Sequence, residues 1–142
     1  MEKYEQIFNI CVATIGALIT WLFGGWDIAV VVLVMFLVLD YATGLIRAWI
    51  NKELSSDIGF RGITRKLTIF VLLIVAVALD RMMNSGTWVF RTLVCYYFIS
   101  NEGLSLIENC AALGVPIPQK LQDALEQLKE GNKKDYTKKE EV

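Results

Sequence analysis

The residues in this chain with the most chemistry to offer are charged and polar side chains set where charge is costly. Asp40 follows twelve consecutive apolar residues, Ile28 to Leu39. Thr43, Gly44, Arg47 and Asn51 follow it at i+3, i+4, i+7 and i+11, one continuous stripe on a helix. Between Trp88 and Leu113, Asn101, Ser105, Glu108 and Ala112 share one helical face, and Arg91, Cys95, Phe98, Glu102, Ser105 and Asn109 form the face beside it. Asp80 ends a further apolar stretch that begins at Leu67. Carboxylates and arginines spaced this way hold ion pairs together or line a hydrated path. They do not make a catalytic centre. The chain has no histidine, so imidazole bases and Cys–His or Ser–His pairs are excluded. Cys11, Cys95 and Cys110 lie in apolar stretches, match no metal spacing and read as buried apolar side chains. No phosphate loop, dinucleotide fingerprint or nucleophile elbow occurs. No enzyme activity, cofactor or metal is expected.

The elements that carry these residues are long. Crossing about 30 Å of hydrocarbon takes roughly 20 helical residues. Four stretches approach that length: about 7–24, 28–47, 67–84 and 88–113, the last interrupted by Arg91, Asn101, Glu102 and Glu108. Trp21, Trp26, Trp49 and Trp88 fall near the expected ends, where indole rings collect at the headgroup level. The fold class expected is an all-α integral membrane bundle of four transmembrane helices. Residues 1–118 form the membrane domain, and 119–142 form a charged tail with a short amphipathic helix at about 119–130.

Loop charges orient the bundle. The 47–66 segment, taken as a loop, carries Arg47, Lys52, Arg61, Arg65 and Lys66, and the last 24 residues carry six lysines. Lys and Arg collect on the cytoplasmic side, so both regions belong inside, with an even number of crossings between them. The fourth stretch therefore spans despite its charges, and both termini are cytoplasmic. Depth then matches Asp80 with Arg91 on the outer side, and Asp40 or Glu102 with Arg47 on the inner side.

The connections carry little further chemistry. Ser55, Ser56 and Asp57 are N-cap types, and the basic side chains of 47–66 suit anionic headgroups. After Gly114, Val-Pro-Ile-Pro ends the last span. Leu121, Leu125 and Leu128 share one face of the following helix, with Gly131 as its C-cap, and the remaining tail reads as solvated. Acidic and basic residues balance, so no nucleic-acid surface is expected.

Several motifs fall in order: Asp40-Tyr41-x-Thr43-Gly44, Leu54-Ser55-Ser56, the glycines and basic residues of 59–66, Asn101-Glu102-x-x-Ser105-x-x-Glu108-Asn109, and Pro116-x-Pro118. Over about residues 28–130 the chain resembles the phage lysis and toxin-secretion holins of Gram-positive bacteria and their phages. That resemblance implies a small protein of the bacterial cytoplasmic membrane that oligomerises and opens a lesion. A peptidoglycan hydrolase (an endolysin) then reaches the wall, or a toxin leaves the cell, with no direct contact implied. Such proteins are often described with three spans, so the alternative topology lays the fourth helix in the interface. A channel or transporter would show repeated halves or a midplane site, and neither is present. A membrane scaffold would place its essential residues in 115–142.

Overall fold

The computed structural model describes residues 1–84 and 86–128. Four long helices follow one another: α1 (Glu2–Phe23), α2 (Ile28–Ile50), α3 (Ser56–Met83) and α4 (Val89–Ala112). Residues 119–128 form a shorter helix, α5. The all-helical membrane architecture expected from the sequence is the one observed. Helices α1, α2 and α3 are long and apolar enough to cross a membrane. At 24 residues, about 36 Å of helix, α4 is at least as long as α1 and α2 but carries more charge than either in its apolar stretch.

Local chemistry places the ends. Helix α1 stops at Gly24, whose φ of 72° suits a residue without a Cβ, and Gly25 follows at 117°. Asp27 then caps α2, its side chain accepting from Val30 N–H at 3.1 Å. Ser55 does the same for α3, accepting from Ile58 N–H at 3.2 Å.

That cap corrects one expectation. The 47–66 segment is mostly not a loop, because α3 begins at Ser56 and runs eleven residues before Leu67. Except for Lys52 in the connection, its basic residues lie on helical turns: Arg61 and Arg65 are exposed, Arg61 pairs with Asp57 at 3.0 Å, and Lys66 turns inward. A helix that continues past its apolar run exposes charge on one face and still propagates, since its backbone bonds are internal.

Helices α2, α3 and α4 form the bundle proper. Val30, Leu33 and Leu37 of α2, Ile69 and Leu73 of α3, and Cys95 and Ile99 of α4 are buried together, with Phe23 of α1 at one end. Contacts at both ends show that α2 and α4 run in the same direction and α3 runs against them. Asp27 lies near Arg91 at the upper end, and Asp40 near Asn109 at the lower. Helix α1 is different. Residues 1–18 are all exposed, and the helix touches the bundle only through its last turns. There Phe23 stacks on Phe70 with ring centres 5.4 Å apart.

Of the three leucines expected to dock the tail helix, only Leu125 is buried, while Leu121 and Leu128 are about half exposed. Its methyl groups fill a notch at Gly103 beside Phe36, where a Cβ would come within 2.9 Å of Leu125. The expected Gly131 cap and the rest of the tail lie outside the described residues.

Candidate functional site

The charged side chains of the bundle gather into two clusters, one at each end of the apolar core. The upper cluster is built around Arg91, which is 2% exposed. Its Nε donates to the Phe23 carbonyl at 2.7 Å and one terminal nitrogen to the Gly25 carbonyl at 3.2 Å. The other terminal nitrogen reaches the Asp27 carboxylate at 2.6 Å. Asp80, 4% exposed, accepts instead from backbone N–H groups of α4: Phe90 at 3.0 Å and Arg91 at 2.8 Å. A carboxylate from α3 thus caps α4, whose first amides have no partner within their own helix and whose dipole favours negative charge there.

Asp80 and Arg91 do meet, as depth matching indicates, but not as an ion pair. The guanidinium turns to Asp27, on the 24–27 turn. The hydrogen bond from Arg91 holds the Asp27 carboxyl below its ordinary value, against a smaller opposing effect of burial. Alongside, Arg81 stacks over Trp21, its carbon 4.3 Å from the ring centre, and also donates to the Trp21 carbonyl.

The lower cluster joins three helices. Lys66 Nζ on α3 lies 2.8 Å from Asp40 on α2 and 2.5 Å from Glu102 on α4. Asn109 adds a fourth group: its amide nitrogen donates to Asp40 at 3.0 Å and to Thr43 Oγ1 at 3.4 Å, while its oxygen accepts from Arg47 at 3.4 Å. Gly44 lies beside that amide, where a Cβ would make ordinary contact at 3.6 Å. The expected pairing of Arg47 with Asp40 or Glu102 is replaced by this arrangement. Lys66 is closer to both carboxylates, and Arg47 reaches the cluster only through Asn109. Two carboxylates with one ammonium and one guanidinium leave no net formal charge, which lets such groups persist beside an apolar core.

Of the ten residues singled out from the sequence, Asp40, Thr43, Gly44, Arg47 and Glu102 converge on the lower cluster. Asp80 and Arg91 converge on the upper one. Asn101 and Ser105 are half-buried and outside both, and Glu108 is exposed. Three members are not among the ten: Asp27, Lys66, which counts in the sequence only as a loop charge, and Asn109, which falls on the polar face but is given no role there. Each had a signal. Asp27 is an N-cap type directly before an apolar run. Lys66 stands fourteen residues before Asp80, four turns along nearly one face. Asn109 lies two turns beyond Glu102. Along the helices the clusters are thirteen residues apart on α2, fourteen on α3 and eleven on α4, about 16–21 Å at the usual rise. Among the described residues no group of three or more His, Cys, Asp or Glu is placed to hold a metal ion.

Long apolar helices that tie their charges into internal clusters define a polytopic helical membrane protein. The family model of the bacteriophage holin family matches residues 17–130, and the chain belongs to that family. It is 57% identical over 134 residues to an uncharacterized 14.9 kDa protein of Clostridium perfringens, covering 94% of this chain and all of that one. A probable holin of Bacillus phage phi105 is 41% identical over 96 residues, 67% of this chain and 70% of the phage protein. The YqxH protein of Bacillus subtilis is 36% identical over 139 residues, 97% and 94% of the two chains. No solved structure matches the chain.

Proposed function

We propose that this protein is a holin: it accumulates in the bacterial cytoplasmic membrane, oligomerises, and opens lesions through which a wall-degrading enzyme or a toxin passes. The observation that carries this reading is the lower cluster of a holin-family chain. Lys66, Asp40, Glu102 and Asn109 are joined mainly through side chains, across three helices that expose many large apolar side chains. Charges that neutralise one another within a single copy become the wet lining of a defect once copies assemble and the helices shift.

All four long helices span in this reading, with both termini cytoplasmic. The support for α4 is its course beside α2, in the same direction and over the same depth. Its two most buried charges face the bundle rather than lipid. A role as a scaffold that recruits partners through its tail is less favoured, since the tail helix seats Leu125 against the chain's own α2 and α4.

Inducible expression in a bacterium, with and without a wall hydrolase lacking its own export signal, tests the reading. Abrupt membrane depolarisation, followed by lysis only in the presence of the hydrolase, is expected. Normal growth with the protein abundant in the membrane would overturn it. Accessibility of cysteines placed at residue 3 and in the 84–88 connection to an impermeant reagent checks the topology. The former is expected to be protected in intact cells and the latter labelled.

A further inference from the structure

Two features of the molecule face the same problem from opposite sides. Helix α1 is a membrane-length helix with no charged residue from Gln6 to Trp26, and residues 1–18 are all exposed and outside the buried core. Between α2 and α3 runs an unfilled apolar groove of about 190 Å³, lined by Val34, Leu37, Val38, Tyr41, Ile63 and Leu67, with Phe70 above and Lys66 below. The groove begins at the ring on which Phe23 of α1 stacks, so it continues an existing α1–α3 contact. Lys66, its one charged wall residue, is already neutralised by Asp40 and Glu102. What enters must therefore be apolar.

The chain's own α1 is held away from this groove. Its last turn is fixed by the Arg91 bonds to the Phe23 and Gly25 carbonyls and by Arg81 on Trp21. Gly24 is packed so closely that a Cβ would stand 3.1 Å from the Trp88 ring and 3.3 Å from Arg91. The helix contains no proline to redirect it below that turn.

We propose that the groove between α2 and α3 is the seat for α1 of a second copy of this chain. This rests on the assembling, membrane-spanning reading above and specifies its contact. Copies in one membrane share one orientation, so an incoming α1 brings Glu2 and Glu5 to the lower end. At that end α3 exposes Arg61 and Arg65, on the side of the helix away from Ile63 and Leu67, with Arg61 paired to Asp57. The shared membrane orientation thus sets the direction, while Gly16 and Ala17 let the helix approach closely. The contact is heterologous: each copy gives its α1 to one neighbour and receives one from another. Such a contact either closes into a ring or grows as an open row.

The test places a photoreactive benzoylphenylalanine at Ile63, and separately at Leu67, in the full-length chain. Each is co-expressed with an isotope-labelled copy bearing a different tag. Both sites are about half exposed, so the substitution leaves the core intact. Cross-linked dimers whose labelled peptide maps to residues 1–23 are expected. A second chain carrying Leu67→Trp or Val38→Trp, which fills the groove from its rim, is expected to lose that cross-link and remain in the membrane. Cross-links confined to lipid, to the same chain's α1, or to another segment of the second copy would overturn the proposal. In parallel an amine-reactive cross-linker reports oligomers by any contact. Oligomers without the α1-mapped product would remove this seat and leave the holin reading standing. Absence of oligomers would remove both.

Discussion

The two charge clusters differ in what their side chains hold. In the upper one, charge is spent on backbone: Arg91 binds two carbonyls and Asp80 binds two amides, and only Asp27 answers Arg91 in kind. In the lower one every contact that spans helices joins side chain to side chain, apart from a long approach of Asn109 to the Asp40 carbonyl. A cluster that binds backbone cannot change partners without unmaking a helix end. A cluster of side chains can re-pair by rotating them. The upper cluster is thus the fixed joint of the molecule, and the lower one is where rearrangement is cheap.

Removing Arg91 is expected to do the greatest harm. Arg91→Ala takes the donor from the Phe23 and Gly25 carbonyls and releases the α1–α2 turn, a loss of about 3–5 kcal/mol, as for breaking a buried pair. Arg91→Lys is expected to restore little of it, because an ammonium cannot reproduce the planar fork. Thermal unfolding in detergent, followed by circular dichroism, measures both.

Lys66→Met comes next, at about 3 kcal/mol or more, because it leaves Asp40 and Glu102 without their cation. Here the clusters part company. Adding Asp40→Asn and Glu102→Gln to Lys66→Met is expected to restore near-native stability, since a neutral side-chain network replaces a charged one. A triple variant as unstable as Lys66→Met would remove the distinction between joint and rearrangeable cluster.

At Gly103, leucine overfills the notch that Leu125 and Phe36 occupy, for about 1–3 kcal/mol. The more specific consequence is release of α5, read as faster proteolysis within 115–128. The smallest effect falls on Asp27, whose side chain is about half exposed. Asp27→Asn is expected to cost under about 1 kcal/mol. Because the Asp27 carboxyl is held below its usual value of 3.8, its contribution is complete above that pH and fades only as pH falls further. Unfolding temperatures of wild type and Asp27→Asn should therefore differ by a constant amount from about pH 7 to pH 5 and converge only as pH falls below 3.8.

The helices were largely legible because each rests on a local cause: an uninterrupted apolar run, a capping aspartate or serine, a glycine with room for positive φ. The start of α3 was misplaced because charge density was read as loop, although Ser55 announced the helix. The clusters were legible only by face. Spacing put Asp40, Thr43, Gly44 and Arg47 on one stripe, but a stripe does not name the helix it meets. Lys66 belongs to the neighbour and took the carboxylates that Arg47 was expected to answer. Asp80 and Arg91 were matched correctly by depth. The chemistry between them was hidden because the free amides at the start of α4 compete for the carboxylate, and no side-chain pattern records them.

The spacing of the clusters has a consequence for permeation. A bilayer presents about 30 Å of hydrocarbon to water. Inside this bundle the polar groups already reach in from both ends, and only about 16–21 Å of apolar packing separates them. Water following the side chains from either face therefore meets a dry barrier roughly two-thirds as thick as the surrounding membrane. Each copy added to an assembly brings another such shortened barrier. A hydrated defect then needs the helices to part only along the stretch between the two clusters.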